Sequence, residues 1–166
     1  EEIYKNHRCV VLHTGNLPKG RGGTPIQNQI LDGVIESKVN AIVMDKEIDS
    51  GDVYCSAPIT LQGSLTDIWM SISDISYGLI KKCVNGNIVP KKQVGQQYTY
   101  LRNKNNKLPL ENSDNILDIH KFIQMLDAEG YPKSHFDIGN YRLEFSRSKL
   151  SDNKILSDVS IRKINE

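Results

Sequence analysis

The sequence lacks a charge surplus of either sign: 21 Lys and Arg face 20 Asp and Glu, leaving a formal net charge of +1. A protein that grips a nucleic-acid backbone usually carries a clear basic excess, so no nucleic-acid partner is expected. The densest basic pieces are Lys81-Lys82, Lys91-Lys92 and the Arg102–Lys107 run. They read as solvated loop and helix-end charges. Cysteine is also scarce. Cys9, Cys55 and Cys83 are odd in number, far apart and without a C-x-x-C pair, which argues against a disulfide framework and a structural zinc site. No run approaches the about 20 apolar residues of a membrane span, and the first residues lack the charge-then-apolar order of a signal peptide. The expectation is therefore a cytoplasmic protein with no metal and no membrane partner.

What is present is ordinary for a globular chain: 38% apolar and 25% charged residues over a length of 166, enough for one domain or a domain with an appendage. Glu1 to His7 is polar and helix-compatible and leads straight into an apolar strand, Cys9 to His13. So abrupt an opening is expected of a piece of a larger protein. After a glycine-rich loop, Thr24, Pro25 and Gln27 have the form of an N-cap, a first-turn proline and a capping box. The helix they open places Ile26, Ile30 and Leu31 on one side and stops at Gly33.

Val39 to Met44 is an almost continuous apolar run, as in a parallel-sheet strand covered on both faces. An acidic turn, DKEIDSGD, separates it from a further strand, Val53 to Leu61. Ser64-x-x-Asp67 is a second capping-box signature, and Leu65, Ile68, Trp69, Ile72, Ile75, Leu79, Ile80 and Cys83 follow at helical spacing. That stripe predicts a core-facing helix ending near Gly86. From Pro90 the chain turns polar. An amphipathic helix is expected over Ser113 to Glu129, and the tail reads as a hairpin of two short strands. The order predicts an α/β core over 1–90 and a smaller α+β unit over 91–166.

Chemistry concentrates in VVLHTGNLPKGRGGTPIQ, residues 10–27. His13 ends an apolar run ahead of the glycine-rich loop, and either a strand-end core histidine or an active-site group fits. The loop is no phosphate cradle, since neither G-x-x-x-x-G-K-[ST] nor G-x-G-x-x-G threads through Gly20-Arg21-Gly22-Gly23. The acidic turn is no EF-hand, because the glycine and glutamate positions hold Ser50 and Ser56.

His13, Leu17-Pro18, Arg21-Gly22 and the D-S-G-D beginning at Asp49 together resemble the folate-dependent formyltransferases. That family carries H-x-S-x-L-P-x-x-R-G followed by D-x-G-D, and here Asp49 lies 36 positions after His13. DAEGYPKSHFDIGNYRLEFSR, from residue 127, is similar to the branch that formylates nucleotide-linked amino sugars. The resemblance implies the C-terminal part of a Rossmann-like formyltransferase domain, lacking roughly 80–100 upstream residues that build the first strands. It implies 10-formyltetrahydrofolate as formyl donor, a nucleotide-linked amino sugar as acceptor and a possible homodimer.

Formyl transfer to an amine passes through an oxyanionic tetrahedral species, which an imidazole can stabilise while moving a proton. A carboxylate beside the ring orients it. By resemblance His13 takes the first role and Asp49 the second, and Lys46, Glu47, Ile48 and Asp49 line the folate's pterin pocket. The family's asparagine two residues before the histidine is Val11 here, so Asn16 is a candidate to supply the amide instead. Tyr98, Tyr100 and Arg102 suit a nucleotide base and diphosphate, though a strand of tyrosines packed on the core explains them equally. Arg21 reads as a brace for the loop. His7, His120 and His135 read as surface residues. Competing readings are formylation of methionyl initiator tRNA, disfavoured by charge and length, formylation of glycinamide ribonucleotide, and a non-catalytic folate- or nucleotide-sugar-binding protein.

Overall fold

The computed structural model describes residues 2–111 and 113–164. Glu1, Asn112, Asn165 and Glu166, which the segments above include, lie outside the described residues. The chain runs α1 (Glu2–Asn6), β1 (Val10–Thr14), β2 (Lys19–Gly22), α2 (Pro25–Leu31), β3 (Glu36–Val43), β4 (Val53–Thr60) and α3 (Leu65–Asn85). It continues through β5 (Tyr98–Tyr100), α4 (Ile116–Gln124), β6 (Ser134–Ile138), β7 (Tyr141–Ser151) and β8 (Lys154–Lys163).

The first sheet has the order β1-β3-β4, and both pairings are antiparallel. This corrects the expectation of parallel pairing. The apolar run was legible, but direction is set by the connections, and the short turn from Val43 to Val53 returns β4 against β3. As the central strand, β3 buries Val39, Asn40, Ala41 and Ile42 in succession. The register aligns His13 with Asn40 and Asn40 with Ser56, so three polar residues form one row across the sheet.

Against this sheet lies α3. Its capping box is formed: the Ser64 hydroxyl accepts from the Asp67 N–H, and the Asp67 carboxylate accepts from the Ser64 N–H. Leu65, Ile68, Ile72, Leu79 and Cys83 are buried and join Ile26 and Ile30 of α2, Ile59 and Leu61, and Phe122 and Ile123 of α4 in one core. Each such side chain contributes about 1.5–3 kcal/mol by leaving water. Two members of the expected stripe do not belong to it, since Trp69 and Ile80 remain 38% and 48% exposed. Trp69 instead stands beside Tyr131, ring centroids 6.5 Å apart.

The Thr24 capping box does not form. Thr24 is left-handed (φ 45°) and its side chain makes no cap hydrogen bond. Its hydroxyl accepts instead from the Asn103 N–H, and Gln27 is buried. The helix expected over 113–129 is shorter at both ends. Asn115 caps it by accepting from the Leu117 N–H, and beyond Met125 the buried Asp127 carboxylate takes the Arg147 N–H and the Lys133 ammonium.

The expected hairpin of the tail is β7-β8, and β6 joins it to make a three-stranded antiparallel sheet, β6-β7-β8. Gly139-Asn140, with Gly139 at φ 56°, turns β6 into β7; this is the two-residue turn signature that marks the missed strand. Residues 91–103 pack on the first unit: β5 pairs with β2, and Lys91 bridges to Val53. Among the described residues, no helix is long and apolar enough to cross a membrane.

Candidate active site

His13 sits near the end of β1, 7% exposed. Its Nδ1 lies 3.2 Å from Asp49 Oδ2, and its Nε2 lies 2.9 Å from the Gly20 carbonyl. Both partners are acceptors, so the ring is pinned from two sides by groups from different loops. Asp49 Oδ2 also accepts the Gly22 N–H at 2.9 Å. The carboxylate thereby fixes both the imidazole and the glycine-rich loop. Asp49 itself is left-handed, at φ 54°, a conformation aspartate tolerates better than most residues. The turn closes tightly behind it: a Cβ on Gly51 would overlap the Val43 carbonyl oxygen.

Buried amides hold the strand end that presents His13. Asn40 Nδ2 donates to the carbonyls of His13 (3.2 Å) and Gly15 (2.7 Å), while its Oδ1 accepts the Ser56 hydroxyl at 2.7 Å. Gln29 Nε2 donates to the Thr14 carbonyl at 3.1 Å, and its Oε1 accepts the Ser37 hydroxyl at 2.6 Å. Three successive carbonyls, 13 to 15, are each taken by a buried side-chain amide. Sequence reasoning missed Asn40 and Gln29. A polar residue inside the apolar run Val39–Met44 was the available signal for Asn40.

The other candidates are placed as follows. Asn16 is exposed, and its amide donates to the Glu36 carbonyl at 3.3 Å rather than to a group beside His13. Lys46, Glu47 and Ile48 form the exposed shoulder of the Asp49 turn. Tyr100 is buried, and its hydroxyl donates to Asp32 Oδ2 at 2.7 Å; burial first, and that bond second, push the phenol well above its usual range. Tyr98 stands edge-on to it and is half exposed. Arg102 shares with His13 a cavity of about 440 Å³ that also takes in Thr24, Gln27, Trp69 and Tyr131. A larger cavity, about 910 Å³, lies between α2, α4 and β7 and touches neither His13 nor Asp49.

Arg21 is buried, and its guanidinium donates twice to Gln93 Oε1, at 3.0 and 2.7 Å, so it does brace the loop. Of the histidines expected at the surface, one is buried and one is half-buried. His135 is 6% exposed, beneath the 107–108 crossing. His120 has Nδ1 3.0 Å from the Ser148 hydroxyl, and burial lowers its pKa. Cys55 and Cys83 bring their sulfurs to 3.8 Å, and burial, then the Cys83 contact, raises the Cys55 thiol. Among the described residues, no group of three or more His, Cys, Asp or Glu side chains is placed to hold a metal ion.

Residues 104–162 match the methionyl-tRNA formyltransferase C-terminal domain. Methionyl-tRNA formyltransferase of Pediococcus pentosaceus is 26% identical over 158 residues, spanning 92% of this chain and 48% of the relative. The chain thus covers about half the length of such curated relatives. The solved methionyl-tRNA formyltransferase from Clostridium thermocellum superposes with a TM-score of 0.92 at 38% identity, over 98% of this chain and 72% of that one. A 4-N formyltransferase from Francisella tularensis, at 17% identity and a TM-score of 0.67 over 81% of this chain and 59% of its own, shares the fold. With a relative this similar matched over nearly all of this chain and more than two thirds of its own, the chain belongs to the methionyl-tRNA formyltransferase family.

Proposed function

We propose that this chain carries the working pair of an N-formyltransferase that moves a formyl group from 10-formyltetrahydrofolate to the amine of methionyl initiator tRNA. The observation that carries the reading is the His13–Asp49 contact of 3.2 Å, with the carboxylate held by the Gly22 N–H. Asp49 orients the ring through Nδ1, and Nε2 is the atom at which a proton is held or moved. An imidazole so oriented can donate to an oxygen as negative charge develops on it, once Nε2 exchanges the Gly20 carbonyl for that oxygen.

The turn from Lys46 to Asp49 suits the folate. It places an exposed apolar side chain, Ile48, beside main-chain groups at the shoulder of the carboxylate, a combination that fits a flat ring with an amide-like edge. When bound, the folate supplies the activated formyl carbon. The cavity of about 440 Å³ beside His13 is where the acceptor amine would enter. Asn16, turned to Glu36, leaves the oxyanion role to His13 and main-chain N–H groups. We place the boundary between the units near residue 103, a reading supported by the packing of residues 91–103 on the first unit and by a family match that begins at 104.

The tRNA acceptor stands ahead of the nucleotide-linked sugar because the relatives matched at higher identity are methionyl-tRNA formyltransferases. The sugar is the second reading, favoured by Arg102 in the His13 cavity, where a guanidinium would pair with a diphosphate. The test is a mass-spectrometric formylation assay with 10-formyltetrahydrofolate against methionyl-tRNA and a panel of nucleotide-linked amino sugars. Formyl-methionyl-tRNA made by the parent, and reduced on the order of 10²-fold or more in His13→Ala and Asp49→Ala, is the expected result. A formylated sugar would establish the second reading. Parent-like rates in either variant would sink the assignment of the pair.

A further inference from the structure

We propose that Gln93 is a positioning residue that sets the His13–Asp49 geometry through the main chain of the 49–51 turn. This deepens, and rests on, the reading of that pair as the working groups. Gln93 lies in the segment that follows the Val53–Lys91 bridge, which two main-chain hydrogen bonds of 2.8 and 2.9 Å secure. Its Nε2 donates to the carbonyls of Asp49 and Gly51, each at 2.8 Å. Its Oε1 receives Nε and Nη2 of Arg21.

The amide's orientation follows from its neighbours. A guanidinium offers only donors and a carbonyl only acceptors, so the oxygen must face Arg21 and the nitrogen must face the turn. Both N–H groups and both lone pairs are then used. No other uncharged side chain of this reach carries two donors and a two-fold acceptor at once.

Three consecutive residues close the ring. The Gly20 carbonyl meets His13 Nε2, Arg21 holds Gln93, and the Gly22 N–H holds the Asp49 carboxylate. Gln93 thus couples the loop that grips the imidazole to the turn that carries the carboxylate. With Gly51 against Val43 and Asp49 left-handed, the turn has little slack of its own. A shift of its main chain would move Oδ2 directly, with the imidazole contact as the first casualty.

The test is NMR on the 166-residue chain, following the His13 ring N–H that faces Asp49 and assigning it by its loss in His13→Gln. Gln93→Glu keeps acceptor oxygens for Arg21 but sets a carboxylate against two carbonyls. Gln93→Met keeps the length and removes every hydrogen bond. The expected result is loss of the ring N–H signal in both variants, with the amide resonances of α3 unmoved. Where formyl transfer is measurable, kcat falls on the order of 10²-fold while KM changes little.

Retention of the parent ring signal in either folded variant overturns the proposal, whatever the activity. If neither variant folds, Gln93 serves stability and the proposal is likewise overturned. A parent that transfers no formyl group, but whose ring signal disappears in both variants, leaves the positioning role standing and removes the formyltransferase reading. A parent that transfers formyl, with variants that keep the signal, does the reverse.

Discussion

The turn-and-loop region around His13 and the C-terminal sheet β6-β7-β8 reach order by different means. Around His13, polar side chains grip main-chain atoms: Asn40, Gln29 and Gln93 fill their amide capacity on carbonyls, hydroxyls and a guanidinium. In the C-terminal sheet, order comes from strand ladders, with long strands that leave Leu156, Val159 and Ile161 exposed. There, too, the Ser134 hydroxyl is buried without a hydrogen-bond partner among the described residues. The first region depends on a few irreplaceable bonds. The second spreads its stability over a repeating pattern and tolerates a flaw.

Matched substitutions in the two regions put this contrast at risk. The largest effect is expected for Gly51→Ala, since the new methyl group would overlap the Val43 carbonyl; a loss of about 4 kcal/mol or more is predicted, read by urea denaturation. The glycine of the other region, Gly139, meets nothing within 4 Å, so Gly139→Ala should cost only the left-handed backbone term, about 1–2 kcal/mol. Equal losses at the two glycines would erase the distinction.

The buried serines give the next comparison. Ser37→Ala leaves the Gln29 oxygen without its hydroxyl and should cost about 1–3 kcal/mol. Ser134→Ala removes a hydroxyl that has no partner and should be neutral or slightly stabilising by thermal denaturation. A large loss at Ser134 would show that its hydroxyl is satisfied after all.

The smallest effect is a pH slope belonging to the C-terminal side. His120 has its pKa lowered by burial, so the unfolded chain binds the proton more readily. Its contribution to stability is complete above the ordinary imidazole value, near 6.5, and declines as pH falls from there through the lowered value. Urea midpoints in parent and His120→Gln should therefore converge in slope only above that range. Identical slopes on both sides of it would remove His120 from the account.

Those two regions also differed in how far they could be read in advance. The His13–Asp49 pair was legible because two motifs at a set spacing identify each other. The α3 stripe and its capping box were legible because both are local. Asn40, Gln29 and Gln93 were not, since each binds main chain 15 to 44 residues away and only the fold brings them there. His135 and Tyr100 look like surface or ligand groups until β6 and β5 bury them. Net charge weighed against a nucleic-acid acceptor, yet it is a sum and says nothing of where charges sit.

Because the carbonyls of residues 13 to 15 are each clasped by an amide, what secures the strand end is indifferent to which side chains it carries. The exposed positions that follow it, Asn16 and Lys19, lie outside that clasp. That surface can therefore be changed by mutation while the imidazole and carboxylate keep their register.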